Sequence, residues 1–147
     1  ADVHAHRNIE VRARVTGYLD YIFTDEGKAV KAGQLLFKIN DEEYKAKYNE
    51  ARASVNSATA ETHAAELEVD RIKMLVDKGV VSDTELRIAR SKVEMAQAKL
   101  LEAKSTLEQA KINLQHTEIR APFDGTIDRI PFKIGSLIDE GHLLTTL

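Results

Sequence analysis

The chain has 147 residues, a length typical of one domain, and a formal net charge of −3 from 21 basic and 24 acidic residues. Because the two signs are well mixed along the sequence, no concentrated basic face is available to bind nucleic acid. There is no cysteine, which excludes disulfide bonds and thiolate chemistry.

Residues 8–39 have the pattern of a small all-β unit. Apolar and polar residues alternate over 10–15, and two further strand-like segments follow at 18–23 and 34–39. Glycines at the turns around residues 17, 27 and 33 separate these segments. The sequence therefore predicts short strands joined by tight turns.

Residues 40–115 carry two long seams in which apolar residues follow one another at spacings of three and four, the pattern of a coiled coil. The first seam is Tyr44, Tyr48, Ala51, Val55, Ala58, Thr62, Ala65, Val69, Ile72 and Val76, and the second is Leu86, Ala89, Val93, Ala96, Leu100, Ala103, Leu107, Ala110 and Leu114. Only the short segment 77–82 separates them, so the two helices must fold back on each other. We predict an antiparallel hairpin with arms of roughly 55 Å, longer than a core of this size requires.

The ends of both helices carry typical signals. Asn40 is the predicted N-cap of the first helix, with Glu43 completing a capping box, and Gly79 is its predicted left-handed C-terminal cap. Ser82 and Glu85 form a second predicted capping box, from which the return helix runs to about residue 115.

The segment 117–147 repeats the segment before the hairpin. With a shift of 108 positions, residues 10–39 and 118–147 share ten identities over thirty ungapped positions, including all three glycines of each half. Random pairing would give about two identities. A β-piece of thirty residues cannot bury a core alone, so we expect the two halves to close on each other as one sandwich. The predicted fold class is therefore α+β, with the hairpin inserted between two β-halves, 8–39 and 117–147.

Two β-halves related in this way resemble the lipoyl and biotinyl carrier domains, in which a tight turn between the halves bears a modified lysine. Here the coiled coil replaces that turn. The combination resembles the periplasmic adaptors, or membrane fusion proteins, of tripartite efflux pumps. The residues that carry this resemblance are 27–36 (GKAVKAGQLL) before the hairpin and 117–125 (TEIRAPFDG) after it.

The tip of the hairpin carries a further match to this family. Adaptors that dock on an outer-membrane channel have Arg, Leu and Ser at the spacing R-x3-L-x6-S, and Arg71, Leu75 and Ser82 stand at that spacing. By resemblance these three residues would bind the channel. Each also has a structural interpretation: Ser82 as an N-cap, Leu75 as packing beside the seam and Arg71 as a solvated residue.

The resemblance implies a non-enzymatic subunit that links an inner-membrane transporter to an outer-membrane channel and associates with other copies into a ring. It implies a transporter of the resistance–nodulation–division class, with an ABC-type exporter as the alternative, and a location in the periplasm of a Gram-negative bacterium. The β-barrel, the membrane-proximal domain and the membrane attachment of known adaptors would lie outside this sequence.

Two other classes of function remain as alternatives. A lipoyl or biotin carrier needs a lysine on a tight turn between the halves, and neither Lys38 nor the helix lysines have that position. A plain coiled-coil spacer would have no use for the residues at the tip. A metal site is not expected from the scattered histidines His4, His6, His63, His116 and His142. No nucleophile–base pair or phosphate-binding loop appears, so we expect neither an enzyme nor a cofactor.

Overall fold

A computed structural model of the protein describes residues 8–147, so His4 and His6 lie outside the described residues. Within them the chain divides into two compact units. The first combines residues 8–45 with Ile112–Leu147, and the second is Ala46–Lys111. We call them the β-unit and the helical unit.

The β-unit contains eight short strands. The first four are β1 (Glu10–Arg12), β2 (Gly17–Ile22), β3 (Ala29–Val30) and β4 (Leu35–Ile39). The last four are β5 (Glu118–Arg120), β6 (Gly125–Thr126), β7 (Leu137–Ile138) and β8 (Leu143–Thr146). Every strand of the first half has its counterpart 108 residues later, as the sequence repeat predicts.

Strand pairing follows the same internal symmetry. One antiparallel sheet has the order β5-β4-β2-β7, while β1 pairs with β8 and β3 pairs with β6. The segment after β6 also contacts β8, since Asp128 N donates a hydrogen bond to Thr146 O at 3.0 Å. Because β4 lies beside β5, the two halves of the chain share one sheet rather than forming separate ones.

The core of the β-unit is built from both halves. Most of its buried residues form pairs related by the shift of 108, and the pairs are Val11/Ile119, Ala13/Ala121, Leu19/Ile127, Val30/Ile138, Leu36/Leu144 and Ile39/Leu147. The turn at Gly27 is also repeated in the second half: Gly27 and its counterpart Gly135 have φ values of 79° and 93°. This left-handed region disfavours side chains with a Cβ, which explains why both halves keep glycine there.

The helical unit has the predicted hairpin. Helix α1 spans Glu42–Asp77 and helix α2 spans Asp83–Gln115. Every residue of the two predicted seams is buried or half-buried, and the most buried are mainly alanines, among them Ala51, Ala58, Ala89 and Ala96. The seam prediction is confirmed. Neither helix has an apolar stretch sufficient to cross a membrane.

The N-terminal end of α1 differs from the prediction by one residue. The carbonyl oxygen of Asp41, not that of Asn40, accepts the first helical hydrogen bond, from Lys45 N at 2.8 Å. Asn40 Oδ1 accepts from the backbone nitrogen of Glu42 at 3.2 Å, and Asn40 Nδ2 donates to Asp20 at 3.1 Å. Asn40 N donates to Tyr18 O in the sheet at 2.7 Å, so the predicted capping-box bond from Asn40 N to the Glu43 side chain is not formed.

Candidate functional site

Backbone hydrogen bonds from the turn close the end of α1 at the hairpin tip. Gly79, with φ 73°, follows the last turn of α1, and its nitrogen donates to Val76 O at 2.9 Å. The next nitrogen, of Val80, donates to Leu75 O at 2.9 Å. These two bonds define a Schellman motif and confirm Gly79 as the C-terminal cap.

Leu75 therefore has a structural position as well as a candidate binding role. It stands at the third residue from the helix end, where the Schellman motif commonly has an apolar residue beside the one after the glycine, here Val80. Leu75 is half-buried, whereas Val80 is 64% exposed and Val81 is half-buried. The tip thus presents the apolar side chain of Val80 and part of Leu75 to solvent.

Arg71 lies one helical turn before Leu75 on α1, and its side chain is exposed. It forms a two-pronged ion pair with Glu68, in which Arg71 Nε donates to Oε2 at 3.0 Å and Nη2 donates to Oε1. Hydrogen bonding to Arg71 lowers the pKa of Glu68, and the nearby charge of Lys92 on α2 lowers it further. The same pair raises the pKa of Arg71.

Ser82 is exposed and immediately precedes α2. Its carbonyl oxygen accepts a hydrogen bond from Glu85 N at 3.1 Å. Within residues 8–147 its hydroxyl makes no hydrogen bond, so the predicted reciprocal capping box is not formed. The hydroxyl is available to a partner at the start of α2.

The structure places the three candidate residues at one end of the helical unit without direct hydrogen bonds among them. Sequence reasoning missed Glu68, although its spacing of three residues from Arg71 is a known signal for a helical ion pair. It also missed Met74, which is 59% exposed beside Leu75. The tip therefore combines one paired arginine, a free hydroxyl and exposed apolar side chains.

A groove of about 480 Å³ lies between α1 and α2 below the tip. Val69 and Val93 of the seams line it, and Glu66, Asp70, Arg90 and Glu94 surround it. By heptad position these charged residues occupy the side of the seam opposite to Glu68 and Lys92. The two sides of the hairpin thus carry different charge patterns.

The lysine that a carrier domain would need has another role here. Lys38 lies within β4, where its ammonium contacts Asp41 Oδ2 at 3.0 Å and Thr117 Oγ1 at 3.3 Å. It is therefore held in a network rather than presented at a turn. Among residues 8–147, no three histidine or carboxylate side chains are arranged to hold a metal ion.

Comparison with known proteins agrees with this architecture. Residues 47–117 match the family model described as "RND MFP, alpha-helical hairpin domain". The efflux pump periplasmic linker BepD of Brucella suis is 47% identical over 47 residues, which are 32% of this chain and 12% of BepD.

Two solved structures show the same fold over nearly all of the chain. A MacA–MexA chimeric protein containing the Pseudomonas aeruginosa MexA α-hairpin domain is 29% identical with a TM-score of 0.70, covering 95% of this chain and 46% of that one. The match with ZneB from Cupriavidus metallidurans covers 95% of this chain and 60% of the ZneB chain. With 19% identity and a TM-score of 0.68, this match shows the fold alone.

The structure is a lipoyl-like β-sandwich with a long helical hairpin inserted between its halves, as in these membrane fusion proteins, and the predicted fold class is confirmed. The chain is similar to membrane fusion proteins of efflux pumps, and its residues 47–117, just under half of the chain, match the hairpin model named for the RND members. It spans 12% of the curated relative and less than half of the chimeric protein.

Proposed function

We propose that this chain is the central part of a periplasmic adaptor that links an inner-membrane transporter to an outer-membrane channel. Residues 8–39 and 117–147 would form its β-module, and residues 40–115 its hairpin. The observation that carries the proposal is the hairpin itself: 36 residues in α1 correspond to about 54 Å. Such an arm, with its family match, serves to reach a partner.

The hairpin tip is the proposed contact with the channel. Arg71 would donate to carboxylates or helix-end carbonyls of the channel, Leu75 would supply an apolar contact, and Ser82 would donate from its hydroxyl. Arg71 is already paired with Glu68. Because both side chains are exposed, water weakens this pair, so a better-placed acceptor on the channel can replace Glu68.

We propose a transporter of the resistance–nodulation–division class. The support is the name of the matching hairpin family and the MexA hairpin in a similar structure. An ABC-type exporter is the second candidate, since the residues at the hairpin tip do not by themselves identify the class of transporter. The complex would lie in the periplasm of a Gram-negative bacterium, attached to the inner membrane through regions outside this chain.

Association of several copies into a ring also belongs to the proposal. Strands β2 and β7 carry exposed Tyr18, Tyr21 and Leu137, and exposed Phe23 follows β2 directly. The ring centroids of Tyr21 and Phe23 stack 5.5 Å apart. At the positions related by 108 residues, the other half carries the exposed residues Thr126, Arg129, Pro131 and Ala29. An aromatic surface facing an arginine of the next copy would favour head-to-tail packing.

Crosslinking in cells tests the docking site. A photoreactive amino acid would replace Lys78 at the tip of the full-length adaptor, with Lys104, exposed near the other end of α2, as the matched position. We expect capture of an outer-membrane channel from position 78 and not from position 104. If neither position captures a channel, or if only other adaptor copies are captured, the spacer interpretation would be favoured.

A further inference from the structure

A cleft of about 370 Å³ opens in the β-unit, and none of its lining residues belongs to the hairpin tip. Strands β1 and β5 form its two walls. Each of them is an edge strand among the described residues, because β1 pairs only with β8 and β5 pairs only with β4. The cleft volume falls in the range of small-molecule sites.

Two arginines are fixed at equivalent positions on these walls. On β1, Arg12 donates to Glu10 Oε2 at 2.9 Å and to Gly141 O at 2.8 Å. On β5, Arg120 donates to Glu118 Oε2 at 3.0 Å and to Gly33 O at 3.0 Å. Each guanidinium therefore has a fixed orientation, and each keeps N–H groups that these bonds do not use.

The two halves of the chain differ two residues beyond Arg12 and Arg120, and the difference adds a positive charge to the cleft. Arg14 follows β1 where Pro122 follows β5, and both line the cleft. Arg14 is exposed and has no hydrogen bond or ion pair within residues 8–147. Arg14 thus adds to the cleft a third guanidinium, which has no partner among residues 8–147.

The floor and the remaining side of the cleft are apolar or neutral. Ile9 and Pro122 supply exposed apolar surface, whereas the side chains of Val11 and Ile119 belong to the core and are each 7% exposed. His116 also lines the cleft, and its pKa is lowered by partial burial and by the positive charge of Arg14. Three arginines against Glu10 and Glu118 leave an excess of positive charge beside an apolar surface.

We propose that this cleft binds a small amphipathic carboxylate, with its carboxylate on Arg14 and its hydrocarbon chain along Ile9 and Pro122. A guanidinium binds a carboxylate through two parallel hydrogen bonds, and an unpaired one gains most from doing so. The apolar floor accepts an alkyl chain, which inorganic anions cannot use. This site is independent of the proposed docking at the hairpin tip.

Calorimetry of this chain with sodium octanoate tests the proposal. Two further probes are acetate, which lacks the long hydrocarbon chain, and 1-octanol, which lacks the carboxylate. We expect octanoate to bind more tightly than either. Arg14→Gln should weaken octanoate binding about tenfold or more, because a charged hydrogen-bonding partner is lost. The matched variant Arg87→Gln, which removes an exposed arginine of α2 outside the cleft, should leave octanoate binding unchanged.

NMR titration of the His116 imidazole gives a second measurement that needs no variant. The charged groups that line the cleft with it are Glu10, Arg12, Arg14, Glu118 and Arg120. A carboxylate on Arg14 offsets its charge, so octanoate should raise the pKa of His116. Equal affinity for octanol, equal affinity of Arg14→Gln, or an unmoved His116 pKa at saturating octanoate would each overturn the proposal.

Discussion

Asp41 shows how a single residue fastens the start of α1. Its carboxylate lies 3.0 Å from Lys38 Nζ and 3.5 Å from Lys45 Nζ, and its side chain is 17% exposed. Partial burial would raise the pKa of Asp41, but the hydrogen bonds and charges of Lys38 and Lys45 outweigh it, so the pKa is lowered. The sequence indicates a helix start here but not the loss of the capping box, because the sheet bond of Asn40 is a tertiary contact.

The lowered pKa of Asp41 predicts how its contribution depends on pH. A carboxyl whose pKa is lower in the folded state stabilises the fold above its unfolded pKa of about 3.9 and loses that contribution as the pH falls through the folded value. Asp41→Asn should therefore lower the free energy of unfolding by about 0.5–2 kcal/mol at pH 7 and by much less at pH 2.5. Urea unfolding at both pH values checks this, with exposed Glu43→Gln as control. An equal loss at both values would contradict the ion-pair explanation.

Gly79 is required at the tip for its backbone conformation and not for space. A Cβ added there would meet no atom within 4 Å, yet φ is 73°. Gly79→Ala should therefore destabilise the protein by about 1 kcal/mol through backbone strain alone. Thermal unfolding measures the change, and Lys78→Ala at the preceding exposed position should leave the melting temperature nearly unaltered. Full stability of Gly79→Ala would show that the turn can adopt another conformation.

At the scale of the helices, periodicity predicts nearly everything about which residues pack. The spacings of three and four place every predicted seam residue in the buried or half-buried class because a helix repeats its faces at this interval. The same pattern does not reveal what the exposed faces do. The pairing of Arg71 with Glu68 depends on side-chain rotamers, and the predicted docking role of Arg71, Leu75 and Ser82 stays a prediction.

Substitution of seam alanines by leucine tests how closely the helices pack. Ala89 is 4% exposed and Ala103 is half-buried, whereas Ala98 is exposed on the same helix. Ala89→Leu should cost about 1–3 kcal/mol by overfilling the seam, Ala103→Leu less, and Ala98→Leu within about 0.5 kcal/mol of zero. Denaturant midpoints of the three variants give the order. Equal stability of all three would contradict the seam assignment.

Docking at the tip predicts a loss of function without a loss of fold. Arg71→Asp reverses a charge at an exposed position, so the melting temperature should change little. In the full-length adaptor we expect this variant to abolish efflux, while Lys104→Asp on the far part of α2 retains it. Drug accumulation assays and circular dichroism measure the two effects. Normal efflux by Arg71→Asp would exclude an essential contact at Arg71.

For the whole molecule, the repeat of 108 residues predicts how the β-unit closes. It indicates which glycines share a turn and which apolar residues meet in the core, and the structure confirms both. The repeat cannot indicate which equivalent positions of the two halves have different functions. The aromatic residues at β2 and Arg14, which is unpaired within the described part of the chain, occupy positions at which the two halves diverge, so symmetry gives no expectation for them.

The two compact units further predict that the β-unit folds without the hairpin. Strands β4 and β5 pair with Phe37 opposite Ile119 and Lys38 opposite Glu118, and Ile39 N donates to Thr117 O at 2.8 Å. The chain therefore returns to the same sheet at the point where it left it. Replacing residues 41–115 by Asn-Gly would join Ile39 to Thr117 through the four-residue loop Asn40-Asn-Gly-His116, which has a common hairpin length.

This shortened chain should unfold cooperatively and keep dispersed amide signals, because the buried cluster of the β-unit lies within residues 11–39 and 119–147. Its stability should be lower by about 1–3 kcal/mol, since the contacts of Asp41 with Lys38 and of Tyr44 with the carbonyl of Thr16 are lost. A matched chain that also carries Leu36→Ala should unfold far more easily, because Leu36 is fully buried. Collapsed, non-cooperative behaviour of the shortened chain itself would show that the β-unit needs the hairpin in order to fold.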